Sequence, residues 1–144
     1  MCVFGVHHPK KWDDQRNFRP PPYTQKEAAF SSSVRQQAKM GVDPLNPSTQ
    51  MGKEIFECIK SYLNNQSDKE KLGLYCSLGT SLDYWHGIDG FFLIDNYLVA
   101  VDLSVRKKNN LPEDIILLNE KECRSNKLWR TCKKIADLFN SRVH

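Results

Sequence analysis

The chain has no Cys-x-x-Cys pair. Its five cysteines, Cys2, Cys58, Cys76, Cys123 and Cys132, are odd in number and scattered, and no secretory leader precedes them, so the expectation is reduced thiols in an intracellular protein. It also lacks any apolar stretch long enough to cross a bilayer, so a soluble chain with no membrane partner is expected. His7-His8 has neither cysteine nor carboxylate at a recognised ligand spacing and reads as exposed histidine. A strong charge of one sign is missing too. The formal balance is +4 over 144 residues, which permits a polyanionic partner without demanding one. That length suits one ordinary domain.

Prolines divide the chain. Residues 1–47 carry Pro9, Pro20, Pro21, Pro22, Pro44 and Pro47 and the serine triplet Ser31 to Ser33, a composition that buries little area for the entropy lost on ordering. This part reads as an irregular, extended arm with a short helix from Thr24 to Met40, and residues 48–144 as an α/β domain. Pro20-Pro21-Pro22-Tyr23 matches a short polyproline ligand of the WW-domain kind and is a candidate protein contact; the plainer alternative is a stiff linker whose aromatic ring docks on the chain's own core. Lys10, Lys11, Arg16 and Arg19 mix with Trp12, Phe18 and Tyr23, a pattern suited to nucleic acid or to solvated charge beside packed aromatics.

Beyond Pro47, Ser48 or Thr49 is placed to cap a helix running to about Asn65, with Met51, Ile55, Ile59 and Tyr62 as its buried stripe. Asn64 to Lys71 reads as a polar connection and Leu72 to Leu78 as a strand. Ile115 to Leu118 suits a fully buried strand. From about Lys121 to Ser141 a last helix presents Leu128, Cys132, Ile135, Ala136 and Phe139 inward. Its other faces hold Arg124, Lys127, Arg130 and Lys134, candidates for contact with a phosphate backbone or simply a solvated basic face.

The stretch from Asp83 to Lys108, DYWHGIDGFFLIDNYLVAVDLSVRKK, carries the chemistry. Two apolar runs of strand length flank Asp95-Asn96, which suits a tight hairpin. Period two puts Asp89 on one face with Phe91 and Leu93, and Asp102 on one face with Ala100, Ser104 and Arg106. A carboxylate in such a strand is costly unless it is paired, hydrogen-bonded or bound to a metal, so two on neighbouring strands suggest a cation site. Glu54 flanks the buried stripe of the first helix. His86, three residues before Asp89, could orient water or contact phosphate, though a histidine bonded to a loop is the commoner outcome.

From about Ser48 to Lys108 these residues resemble the core of the PD-(D/E)XK nuclease superfamily: Gly87-Ile88-Asp89 opens a strand, a hairpin follows, and the next strand holds Asp102-Leu103-Ser104. The resemblance implies a restriction-endonuclease-like α/β (α+β) fold, with a mixed sheet of about four strands flanked by two helices. It also implies a divalent-metal-dependent endonuclease acting on DNA, with Asp89, Asp102 and Glu54 holding Mg²⁺ or Mn²⁺, and by analogy a homodimer. Ser104 stands where the motif has lysine, so the missing charge would have to come from Lys107, Lys108 or Arg106. The alternative implied is an inactive nuclease-like accessory protein that binds nucleic acid or a protein partner.

Overall fold

The computed structural model describes residues 22–77, 80–104, 115–119 and 126–142. Helix α1, Lys26–Lys39, forms inside the stretch expected for a short helix and buries Ala29, Ser33 and Gln37, four residues apart, as one helical face requires. The chain before residue 48 thus supplies a packed layer of the fold, whereas residues 1–21 of the expected arm lie outside the described residues. Helix α2, Gln50–Tyr62, starts as its sequence indicates: the Thr49 hydroxyl accepts from the Gly52 N–H at 3.0 Å. It buries Ile55, Phe56 and Ile59. It ends earlier than Asn65, because Asn65 caps a separate helix α3, Gln66–Lys71, by accepting from the Asp68 N–H at 2.7 Å. The stretch expected to be a polar connection is therefore helical.

Strand β1, Gly73–Cys76, is followed by a six-residue helix α4, Ser81–His86, and then by β2, Gly90–Ile94, and β3, Tyr97–Ser104. β1, β2 and β3 form an antiparallel meander. Asp95 and Asn96 make the expected two-residue hairpin, with Ile94 opposite Tyr97 and Asp95 at φ 54°, a left-handed conformation that aspartate tolerates better than most residues. β4, Ile115–Asn119, pairs in parallel with β3. The last helix, α5, spans Leu128–Asn140. The architecture is mixed α+β.

The alternation of side chains along the strands builds two cores. Leu74, Cys76, Phe92, Ile94, Val99 and Val101 face α2 and α5, meeting Ile55, Phe56, Ile59, Cys132, Ile135 and Phe139. Phe91 and Ala100 face the opposite way, with Tyr75 packed beside them, against Ala29 of α1, Leu82 of α4 and Ile88. Helices therefore cover both faces. The second layer, α1 with α4, goes beyond the two flanking helices expected. Burying each of the phenylalanines in these cores contributes roughly 2–3 kcal/mol relative to exposure.

The free edge of β1 is closed by polar contacts instead of another strand. Its two outward amides are both satisfied: Leu74 N–H donates to the Pro44 carbonyl at 2.9 Å, and Cys76 N–H to the Gln37 side-chain oxygen at 3.1 Å. An edge covered in this way cannot recruit another chain by strand pairing. Gln37 is 3 % exposed, so its amide serves the fold and not solvent.

Candidate functional site

The register brings the two expected aspartates together. Gly90 pairs with Val101, so one step further along the ladder Asp89 stands opposite Asp102, on the face that carries Phe91 and Ala100. The Asp89 backbone is fixed on both sides: its N–H donates to the Val101 carbonyl at 3.0 Å and its carbonyl accepts from Ser77 N–H at 2.9 Å. Ser77, fully buried, also donates its hydroxyl to the Ile88 carbonyl at 2.7 Å. The end of β1 thus clamps the entry to β2.

Helix α4 adds a third acid that the sequence reading had left without a role. The Asp89 carboxyl shares hydrogen bonds with the carboxyls of Asp102 and Asp83. Asp83 sits in the first turn of α4, which ends at Gly87 in the left-handed conformation, φ 67°, so that the chain reverses and Ile88 N–H bonds back to the Leu82 carbonyl. The sequence signal was present: an acid three residues after Thr80 reads as a first helical turn.

Burial is the largest influence on Asp89, followed by its hydrogen bonds to Asp102 and to Asp83. Together they push its pKa up to about 9, because charge in a poorly solvated place beside other acids is unfavourable. Asp102 is 2 % exposed. Carboxyls bonded to one another close around a proton. A dication would need them to open around it, and among the described residues no group of three or more His, Cys, Asp or Glu is arranged to hold a metal ion. The donors are all oxygen, the chemistry that Mg²⁺ or Mn²⁺ prefers, and Mg²⁺ commonly relies on one or two carboxylates plus water and phosphate oxygens.

The remaining candidates divide. Glu54 does not join the aspartates: it is exposed on α2, its carboxylate accepts from the Gln50 side chain at 3.1 Å, and α2 packs on the other face of the sheet. Helical phase keeps it beside the buried stripe, but the sheet lies between it and the acids. His86 takes its commoner role, its Nε2–H donating to the Thr24 carbonyl at 2.8 Å; a carbonyl only accepts, which fixes the proton on Nε2. Ser104 ends β3 opposite Asn119, while Arg106, Lys107, Lys108 and Arg124 lie outside the described residues. Lys127, Arg130 and Lys134 are exposed at the start and along the outer side of α5. Arg130 lies over the Trp129 ring at 5.8 Å, and Lys133 between them pairs with Asp137 at 2.9 Å.

Sequence reasoning also missed an exposed cluster of rings on α4 and the segment before α1. Tyr23 meets Trp85 edge-on with centroids 5.6 Å apart, Trp85 meets Tyr84 at 4.8 Å, and Tyr23 lies 5.7 Å from the His86 ring. Tyr23 packs on the rings of α4 at the surface, 61 % exposed and outside both cores, and its neighbour Thr24 donates its hydroxyl to Ser81 at 2.9 Å. No helix among the described residues is long and apolar enough to cross a membrane. No protein-family model matches the chain, and neither a curated protein nor a solved structure does.

Proposed function

We propose that the chain is a divalent-metal-dependent endonuclease of PD-(D/E)XK type that hydrolyses phosphodiester bonds in DNA. The observation that carries this reading is the pairing of Asp89 with Asp102 at adjoining strand positions, with Asp83 bonded to the same carboxyl. Asp89, Asp102 and the Leu103 carbonyl would hold Mg²⁺ or Mn²⁺, with water and phosphate oxygens completing the shell. When bound, the cation lowers the pKa of a coordinated water and offsets charge developing on the phosphate. The protein's part would be to hold the carboxylates on a rigid ladder and to keep Asp102, 2 % exposed, away from bulk water. Ser104 can donate one hydrogen bond toward phosphate but no charge, so Lys107, Lys108 or Arg106 would supply it, and of these arginine is a poor base.

A second reading, a nuclease-like accessory protein that binds nucleic acid or a partner without cutting, is favoured by Ser104 at the motif lysine position and by burial that pushes the Asp89 pKa up to about 9. Calorimetry with Mn²⁺ separates the two. The enzyme reading expects binding and metal-dependent cleavage of DNA, both lost in Asp102→Ala with the fold intact. Cleavage undiminished in that variant, or no Mn²⁺ binding by the natural chain, sinks it.

A further inference from the structure

The outward side of α5 carries charge of one sign. Lys127, Arg130, Lys133 and Lys134 are exposed there, Asp137 is the one acid of the helix, and the first turn holds none. Helix α2, packed alongside, is balanced: Lys53 and Lys60 stand against Glu54 and Glu57, with Lys60 3.9 Å from Glu57. The positive excess on these two helices therefore belongs to α5. Residues 130, 133, 134, 137 and 141 recur three and four apart and so share one stripe. They line a shallow groove of about 430 Å³, with Leu138 as its apolar flank. The Trp129 ring keeps the Arg130 guanidinium beside it. Among the described residues neither Arg130 nor Lys134 meets an acid, whereas Lys133 is held by Asp137 at 2.9 Å.

We infer that this stripe seats the phosphate backbone of nucleic acid, and that Asp137 is an internal stand-in whose carboxylate occupies Lys133 until a phosphate displaces it. The inference goes beyond the nuclease reading and does not need it, because the aspartates lie on the opposite face of the sheet. Charge complementarity argues for this occupant. Arg130 to Ser141 covers about 16 Å of helix axis, and a duplex presents one negative charge about every 1.7 Å, so several phosphates come within reach of three cations. Guanidinium and ammonium groups hold phosphate through charge-assisted hydrogen bonds. An exposed lysine-aspartate pair is worth little, so a phosphate displaces the carboxylate at small cost. An acidic peptide fits less well: Leu138 is the one apolar residue among the described lining, and a helix offers no strand edge to pair with. Contacts of this kind reach phosphates and not base edges, so binding is independent of sequence.

The test is fluorescence anisotropy of the full chain with two labelled DNA duplexes of unrelated sequence, in EDTA so that nothing is cut, at several salt concentrations. The expected result is equal affinity for the two. Arg130→Gln combined with Lys134→Gln should weaken binding and reduce the slope of log affinity against log salt by about two. Asp137→Asn, which removes the stand-in and frees Lys133, should tighten binding several-fold and steepen the slope by about one. Lys53→Gln on α2 should leave the slope unchanged. All these side chains are exposed, and circular dichroism melting of each variant accompanies the binding data. Asp137→Asn no tighter than the natural chain, an unchanged slope in the double variant, or no duplex binding by the natural chain overturns the inference. Displacement of the duplex by polyglutamate as readily as by unlabelled duplex assigns the stripe to acidic protein and overturns it too. Mn²⁺ calorimetry keeps the two readings apart: absent Mn²⁺ binding with the expected slopes removes the nuclease alone, and retained Mn²⁺ binding with unchanged slopes removes this inference alone.

Discussion

In the proposed nuclease, Asp89 is the residue on which the chemistry would turn, and its raised pKa makes it measurable. Its pKa in the fold is raised from 3.8 to about 9, by burial first and by its bonds to Asp102 and Asp83 next, so the folded state favours the protonated form. Its contribution to stability is therefore fully present below the unfolded value and is lost as pH rises toward 9. Denaturant unfolding without metal should show stability falling between pH 5 and pH 9, with a flatter profile in Asp89→Asn. On the proposed nuclease reading a bound cation would displace the same proton, so Mn²⁺ affinity should climb with pH by up to tenfold per unit below that value. A second residue-scale prediction concerns Ser33, whose buried hydroxyl has no hydrogen-bond partner among the described residues. Ser33→Ala removes an unsatisfied group and adds a better helix former within α1, so chemical denaturation should show a gain of about 1 kcal/mol. A loss would mean the hydroxyl has a bound partner.

At the scale of elements, a buried ion pair fastens the end of α5 to α3. Arg142 donates to both oxygens of Asp68, at 2.6 and 3.0 Å, both side chains are 6 % exposed, and Arg142 also donates to the Phe139 carbonyl at 3.1 Å. Its guanidinium pKa is raised further by the Asp68 hydrogen bonds, so no accessible pH uncharges it. Arg142→Ala leaves Asp68 without its forked partner in a nearly dry place and should cost about 3 kcal/mol in urea unfolding; a cost below about 1 kcal/mol would show that water reaches the pair. This contact was not legible in the sequence. Asp68 and Arg142 are 74 residues apart, and a short polar segment gives no hint of which acid turns inward. α2 was legible, because Thr49, Ile55 and Ile59 state a cap and a stripe locally, and so was the hairpin at Asp95-Asn96.

For the whole molecule, the sheet separates two surfaces that the sequence reading had joined. The aspartates lie on the face under α1 and α4, whereas α5, with Lys127, Arg130 and Lys134, packs on the other. One strand of nucleic acid cannot lie on both faces without passing an edge, so on the proposed reading the basic side of α5 would be a holding surface separate from the aspartates. Arg130→Glu combined with Lys134→Glu should weaken oligonucleotide binding and lower its salt dependence by about two counterions. It should leave Mn²⁺ binding unchanged. An unchanged salt slope would return that face to solvated charge.

What the sequence determined by itself is periodic and local: alternation told which strand residues share a side, helical spacing told which helix residues turn inward, and Asp89 and Asp102 were legible because a charge breaks an apolar run. Tertiary structure decided which of these meet. Strand register put Asp89 beside Asp102. The fold brought Asp83 to the Asp89 carboxyl and set Trp85 against Tyr23, and the choice of sheet face kept Glu54 away, although its place along α2 fitted the expected ligand. Such distances depend on how layers stack, and stacking free energy is summed over many contacts between residues far apart in the chain, so no short stretch of the sequence records it.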